Sequence, residues 1–303
     1  MDTIKTARMV DAYIVSAFVS GGKGGNPAAV VLDADALNES EMLQIAAKIG
    51  LSETAFVSAS KTEGFRLDFF TPNQRIAHCG HATIATFTLL AELERVREGE
   101  TSKETVDGPR RIILKEGAAF MEQLAPTYSM PCDWVEDAGV TAADVVASLR
   151  LDETTLDPRL GPILVSTGNR FIIVGVRNGA VLQSIEPDFS AIKAISDTLD
   201  LIGYYVFTTD PHAADRDATT RMFAPRYAIE EEAATGMAAG PLACLLHDHL
   251  NVEKEVIVIE QGKFMKPASP SVITVELQTQ SNKITGLTAG GRGRTVRKVK
   301  IAF

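Results

Sequence analysis

The pattern of apolar and polar positions changes character at two places in this chain. In residues 69–90 (FFTPNQRIAHCGHATIATFTLL) an apolar strand end meets a turn at Thr71-Pro72-Asn73. A nearly unbroken apolar run then begins at Gly80. Ala82, Ile84, Ala85, Phe87, Leu89 and Leu90 leave little polar face, so the spacing predicts a helix buried on all sides. Residues 222–246 repeat the arrangement. Phe223-Ala224-Pro225 echoes Phe70-Thr71-Pro72, and Gly236-Met237-Ala238 echoes Gly80-His81-Ala82. Leu245-Leu246 stands as far from its glycine as Leu89-Leu90 does. Gly168-Asn169 before Ile172-Ile173-Val174 likewise echoes Gly25-Asn26 before Ala29-Val30-Val31. Copies about half a chain apart signal an internal duplication rather than a short solenoid repeat.

The remaining pattern is that of a mixed α/β chain. Strands are expected over residues 10–19, 28–32, 51–57 and 65–70. Asn38 or Ser40 caps a helix with Met42, Ile45, Ala46 and Ile49 on its apolar face, ended by Gly50. Residues 92–107 are charged and read as exposed, and 111–114 with 118–124 read as a hairpin. Residues 126–136, with Pro126, Pro131 and the single Trp, read as a linker. Thr141 caps a helix over 140–149, and the second half begins near residues 161–165. It continues with a strand at 171–176, a helix capped by Asp188 and a strand at 204–208. Further strands follow at 256–260, 272–277, 284–287 and 295–301. Arg292, Arg294, Arg297, Lys298 and Lys300 read as a solvated strand face. Gly21-Gly22-Lys23-Gly24-Gly25 lacks the Gly-Lys-Ser/Thr ending of a phosphate loop and reads as a turn.

Composition narrows the function classes. With 303 residues and 45% hydrophobic content, two domains with their own cores are the natural expectation. The net charge of −9 argues against nucleic acid as a partner. Cys79, Cys132 and Cys244 lack metal or disulfide spacing, which fits a reduced, cytoplasmic protein. Residues 1–8 (MDTIKTAR) have no apolar core and do not read as a leader, and no apolar run reaches membrane-spanning length.

Chemistry concentrates at the two glycine-led helix starts. A helix N-terminus offers unpaired N–H groups and a partial positive charge. Cys79, Gly80 and His81 therefore sit where an anion is held. Glu53 shares a strand face with Leu51, Ala55 and Val57. A lone carboxylate on an apolar face has a raised pKa, which suits a general acid/base. The alternative is a surface Glu on an edge strand. His81 is either a polar cap or a group beside the ligand, with an imidazole that the helix start tends to keep neutral. Glu230-Glu231-Glu232 by itself reads as a solvated acidic run.

Several of these segments together resemble one family. They are Gly25-Asn26-Pro27-Ala28-Ala29-Val30-Val31-Leu32, Leu51-Ser52-Glu53-Thr54-Ala55-Phe56-Val57, Phe70-Thr71-Pro72, Cys79-Gly80-His81-Ala82-Thr83 and Glu232-Ala233-Ala234-Thr235-Gly236. In this order they resemble the PhzF-like isomerases of phenazine biosynthesis, relatives of diaminopimelate epimerase. The resemblance implies an α/β (α+β) fold of two pseudo-symmetric, epimerase-like domains, each a curved sheet around a central helix. Their expected extents are residues 1–127 with 290–303, and 128–289. It implies an active site in the cleft between them and a homodimer. It also implies cofactor-independent proton transfer, without metal, on a small carboxylate substrate. Glu53 falls on the family's general acid/base. Gly80, His81, Glu232, Gly236 and Met237 fall on its substrate-binding positions, so a carboxylate is expected between Gly80-His81 and Gly236-Met237. Two departures stand out: Glu232 where the family usually has Asp, and Met237 where it often has Ser. Racemases and epimerases of related build use two thiols. Cys79 stands at the first thiol position, but the repeat puts Thr235 at the second, and Cys244 lies too far along its helix to substitute. A racemase or epimerase, and a non-catalytic binding protein on the same fold, are the competing readings.

Overall fold

The computed structural model describes residues 8–210, 215–281 and 283–303. The opening residues 1–7, read above as no leader, lie outside them. The chain divides into two compact units. One comprises residues 8–22, Asn26–Met121 and Gly291–Phe303; the other comprises Lys23–Gly25 and Glu122–Gly290.

In the first unit, helix α1 spans Glu39–Ile49 and helix α2 spans Gly80–Glu92. Arg294–Ala302 and Asn26–Val31 flank Met9–Ala17, both antiparallel to it. Asn26–Val31 runs parallel to Thr54–Ser58, which pairs antiparallel with Phe65–Phe70. Phe65–Phe70 runs parallel to Gly99–Thr105, and Gly108–Lys115 and Ala118–Leu124 follow antiparallel. Each parallel pair requires a crossover, and each crossover carries a helix, α1 for the first and α2 for the second.

The local chemistry of α1 matches its sequence. The Asn38 side chain accepts from the Glu41 N–H, Glu41 accepts from the Asn38 N–H, and Gly50 closes the helix with φ of 72°. Met42, Ile45 and Ala46 pack on Ala12, Val31 and Phe56 of the sheet. Helix α2 packs on Met9–Ala17, Asn26–Val31 and Thr54–Ser58. Strands with a helix on each face are buried on both sides, which is why Thr54–Val57 reads as a continuous apolar run without alternation. Every residue of α2 from Gly80 through Leu90 is buried. Two of its threonines bond one turn back: Thr83 Oγ1 donates to the Cys79 carbonyl at 2.6 Å and Thr86 Oγ1 to the Ala82 carbonyl at 2.8 Å.

The second unit repeats this connectivity. Its helices are α3 (Pro131–Ala138), α4 (Ala142–Ser148), α5 (Gly179–Ser184), α6 (Phe189–Leu199) and α7 (Gly236–Leu250). Thr127–Ser129 pairs with Ile163–Ser166, which pairs antiparallel with Arg170–Gly175. Arg170–Gly175 runs parallel to Gly203–Thr208, with α5 and α6 in the crossover. Ala218–Ala224 follows antiparallel, and Val256–Gln261 then runs parallel to it with α7 in the crossover. Ser271–Gln280 and Lys283–Arg292 complete the series antiparallel. The order of pairings, including the two parallel steps and the buried helix in the second, is that of the first unit. This is the duplication that the sequence echoes announced. Asp188 and Thr141 cap their helices as expected.

Three expectations give way. Residues 126–136 are not a bare linker: they form the strand Thr127–Ser129 and most of α3, and Trp134 is buried in the second unit's core. The Pro at the first helical position and the Asp133 carboxylate on the Met130 N–H start that helix. Residues 92–107 are not uniformly exposed, because Gly99–Thr105 is a sheet strand with Lys103 fully buried. The acidic run at 230–232 is part of the strand Ile229–Glu232, in which Glu231 pairs at 2.8 Å with the buried guanidinium of Arg221. The basic face of Arg294–Ala302 is largely exposed as expected, with Lys298 paired to Asp11 at 2.7 Å. Among the described residues, no helix is long and apolar enough to cross a membrane.

Candidate active site

The first unit brings three of the singled-out side chains together. Glu53 does not lie within the strand; it is the residue immediately before Thr54–Ser58. Its carbonyl accepts from the Ala29 N–H at 3.1 Å, which fixes the bend and turns the side chain inward. There it meets His81, the second residue of α2, with His81 Nε2 3.2 Å from Glu53 Oε2. The other ring nitrogen, Nδ1, is 3.5 Å from Cys79 Sγ. Glu53 is 6% exposed, His81 4% and Cys79 5%, so the row Glu53–His81–Cys79 lies almost entirely out of water.

This arrangement reverses the expected direction of the Glu53 pKa. Burial is the largest influence and by itself raises it. The hydrogen bond and charge of His81, with a further bond from Ser52, outweigh burial and hold the carboxyl below the ordinary glutamate value. Along the chain Glu53 stands alone on an apolar face, and the fold supplies it with a partner. Glu53 is therefore ionised at neutral pH, in the form that accepts a proton.

Cys79 has the opposite bias. Burial raises its thiol pKa, with the Glu53 charge adding to that rise, so the sulfur is held as a thiol. One donor atom each from Glu53, Cys79 and His81 lie within 4.8 Å of one another, a spacing that a metal ion could use. Cys79→Ser is expected to retain most activity and stability, read by turnover and thermal melting. A loss as large as that of Glu53→Gln would bring back thiol chemistry.

Both glycine-led helices start where the sequence put them. Cys79 precedes α2 and Thr235 precedes α7, and neither caps its helix with its side chain. Neither first turn carries an acid. Arg75, ahead of the first start, is engaged by Asp68 and, at 3.2 Å, by Glu39, and the Lys103 amine is turned to Thr83 and His78. An anion at Gly80-His81 would therefore be met chiefly by backbone N–H groups.

In the second unit, Thr235 Oγ1 donates to the Glu232 carboxylate, so two of the motif residues are joined. Nothing in the order of residues signals the rest of this network. The Gln261 side chain accepts from the Thr235 N–H at 3.0 Å and donates to the Glu232 carbonyl at 2.7 Å. The Tyr205 hydroxyl donates to Gln261 at 2.9 Å and accepts from Thr220 Oγ1 at 3.0 Å. Burial pushes the Tyr205 phenol well above its ordinary value, so it stays a donor. Gln123 Nε2 donates to the Gly236 carbonyl at 2.9 Å, and Asn169 Nδ2 lies 3.3 Å from Met237 Sδ. Gln261 and Tyr205 sit in ordinary strand patterns, and only the register makes them supports of the helix start.

The sequence model of phenazine biosynthesis-like proteins, PhzC-PhzF, matches residues 15–298. The chain belongs to this family. The trans-2,3-dihydro-3-hydroxyanthranilate isomerase of Pseudomonas aeruginosa is 32% identical over 291 residues, covering 92% of this chain and 95% of that one. An uncharacterized isomerase of Escherichia coli, YddE, is 29% identical over 282 residues, 90% of this chain and 93% of its own. Among solved structures, a PhzF-family protein of Bacillus anthracis superposes with a TM-score of 0.86 at 25% identity, over 98% of this chain and 100% of that one. A hydroxyproline epimerase of Agrobacterium vitis shares the fold at a TM-score of 0.63 and 14% identity, over 99% and 93% of the two chains. This PhzF-family chain is an enzyme, an isomerase, with the mixed α/β, epimerase-like fold.

Proposed function

We propose that this isomerase moves a proton between two carbons of a small carboxylate-bearing substrate, without a cofactor, using Glu53 as its general acid/base. The observation that carries the reading is the Glu53–His81 contact of 3.2 Å between buried side chains at an uncapped helix start. An ionised Glu53 is ready to take a proton from carbon. Once protonated, it returns the proton to a second carbon of the same molecule, so atoms balance with no further reagent. His81, poised on Glu53, follows its charge and orients the substrate. The N–H groups at Gly80 and His81 would hold the carboxylate and the negative charge that develops as the proton leaves. Glu232, Gly236 and Met237 are proposed substrate contacts on the strength of the family motif. Glu232 in place of Asp and Met237 in place of Ser favour a substrate different in its polar substituents from that of the relatives.

A racemase would return the proton to the same carbon from the opposite face and needs a second acid/base. Thr235, at the position equivalent to Cys79, is neither a thiol nor free, since it bonds Glu232. The decisive experiment incubates small unsaturated and hydroxylated carboxylates with the enzyme in D2O and follows them by NMR. Deuterium at a new carbon with a shifted double bond supports the proposal. Exchange at one stereocentre with inversion selects the racemase, and no deuterium in any carboxylate overturns the proton-transfer reading.

A further inference from the structure

We propose that Lys103 is a positioning residue of this active site, anchoring the Cys79–His81 segment from the side away from Glu53 and coupling its own charge state to His81. This rests on the reading of Glu53 and His81 as the reacting pair.

Lys103 lies in the middle of the strand Gly99–Thr105, opposite Arg110 on Gly108–Lys115 and beside Phe65 on Phe65–Phe70. It is 0% exposed. Its Nζ donates to Thr83 Oγ1 at 2.6 Å and lies 3.2 Å from His78 Nδ1. Thr83 Oγ1 in turn donates to the Cys79 carbonyl at 2.6 Å. The amine thus grips both ends of a short stretch: His78 directly, and Cys79 through the first turn of α2. His81 follows, with its ring on Cys79 Sγ. The Phe69 ring, 4.9 Å from Nζ at its centroid, fills the remaining side. Among the described residues no carboxylate comes within ion-pair distance of Nζ.

A buried lysine without an anion is costly, so its hydrogen bonds to Thr83 and His78 call for a role. The groups around it are few. His78 and Cys79 face it from the segment before α2, Arg110 from the neighbouring strand and Asp107 from the turn; α2 offers only the neutral Thr83. On Phe65–Phe70 the charged residues are Arg66 and Asp68, which pair with each other at 3.0 Å. Burial, reinforced by Arg110, lowers the Lys103 pKa to about 7, against smaller opposing effects of Cys79 and Asp107. Burial, with Lys103 and Arg110, also drives the His78 pKa well below its ordinary value, so its Nδ1 accepts from the amine. Lys103 therefore gains or loses its charge near neutrality without leaving its two partners.

The test uses the whole protein labelled with 15N in its histidines and compares wild type, Lys103→Met and Thr83→Val. The wild-type His81 ring signals should show a step near pH 7 that reports the Lys103 charge. Lys103→Met should abolish it, and Thr83→Val should shrink it while leaving the amine in place. In the deuterium-exchange assay, kcat of Lys103→Met should fall by about 10–100-fold with KM little changed, the cost of a small displacement of a reacting group. The melting temperature of Lys103→Met at pH 7 should change little, since the amine that is removed makes two hydrogen bonds but no ion pair and its burial as a charge is costly. An unchanged His81 step in Lys103→Met overturns the proposal. So does a lowered melting temperature with untouched His81 signals, which would make Lys103 merely structural. If Lys103→Met does not fold, Thr83→Val decides alone: a smaller step supports the coupling and an unchanged one overturns it. Failure of the catalytic reading appears separately, as a folded Glu53→Gln enzyme that still turns over.

Discussion

Glu53→Gln is expected to keep the fold and to lower turnover by about 10²–10⁴-fold or more, the range that a general acid/base contributes. The replacement preserves size and can still bond His81, but the amide cannot accept a proton from carbon. The carboxylate that would take the proton is 6% exposed and 3.2 Å from His81. Circular dichroism and melting should show a native protein, so that lost turnover reports chemistry. A folded variant with near-normal activity would remove Glu53 from the mechanism. The pH profile gives an independent check. With a folded pKa below the ordinary glutamate value, Glu53 is ionised across neutral pH. Its contribution to stability is present above the unfolded pKa and is lost as pH falls through the folded one. The acid limb of kcat/KM should follow the same titration, falling only below the ordinary glutamate range. An acid limb centred at about 6.5, the ordinary histidine value, would assign the base to another group.

Phe87→Ala is expected to destabilise the first unit by about 3–5 kcal/mol, the usual cost of removing a buried aromatic ring. Phe87 is fully buried on α2 and meets the Phe65 ring edge-on, with centroids 5.7 Å apart. Both ends of that contact belong to the frame that carries His81 and Lys103. Domains of this kind are stable by only about 5–15 kcal/mol, so the loss is a large fraction of the total. Urea unfolding read by probes in the first unit should show a markedly lower midpoint with a similar slope. A change under about 1 kcal/mol would mean that the ring's site collapses without penalty and that α2 is not the centre of this core. Activity should fall with the folded fraction and return when the variant is assayed at low temperature.

What was legible in the sequence was whatever depends on neighbours along the chain. The cap at Asn38 with its partner Glu41, the stop at Gly50 and the caps at Thr141 and Asp188 are local hydrogen bonds made by residues a turn apart. The two helices starting at Gly80 and Gly236 declared themselves by apolar runs too continuous for a surface. Those runs, repeated half a chain apart, also disclosed the duplication that the strand pairings now show in each unit.

Tertiary structure decided everything that depends on which charge meets which. Glu53 looked solitary on an apolar face, and its pKa was expected to rise. The crossover through α2 returns His81 to within 3.2 Å and turns the shift downward. Glu231 and Glu232 are adjacent in sequence, yet one neutralises the buried Arg221 and the other accepts from Thr235. Lys103, in a stretch whose charges promised exposure, is buried because its strand is inserted between Phe65–Phe70 and Gly108–Lys115. A hydrophobic pattern constrains which faces are buried, since burial free energy grows with apolar area and is blind to direction. The state of an ionisable group depends on partners a few ångströms away, and only the folded register of distant strands and helices brings those partners together.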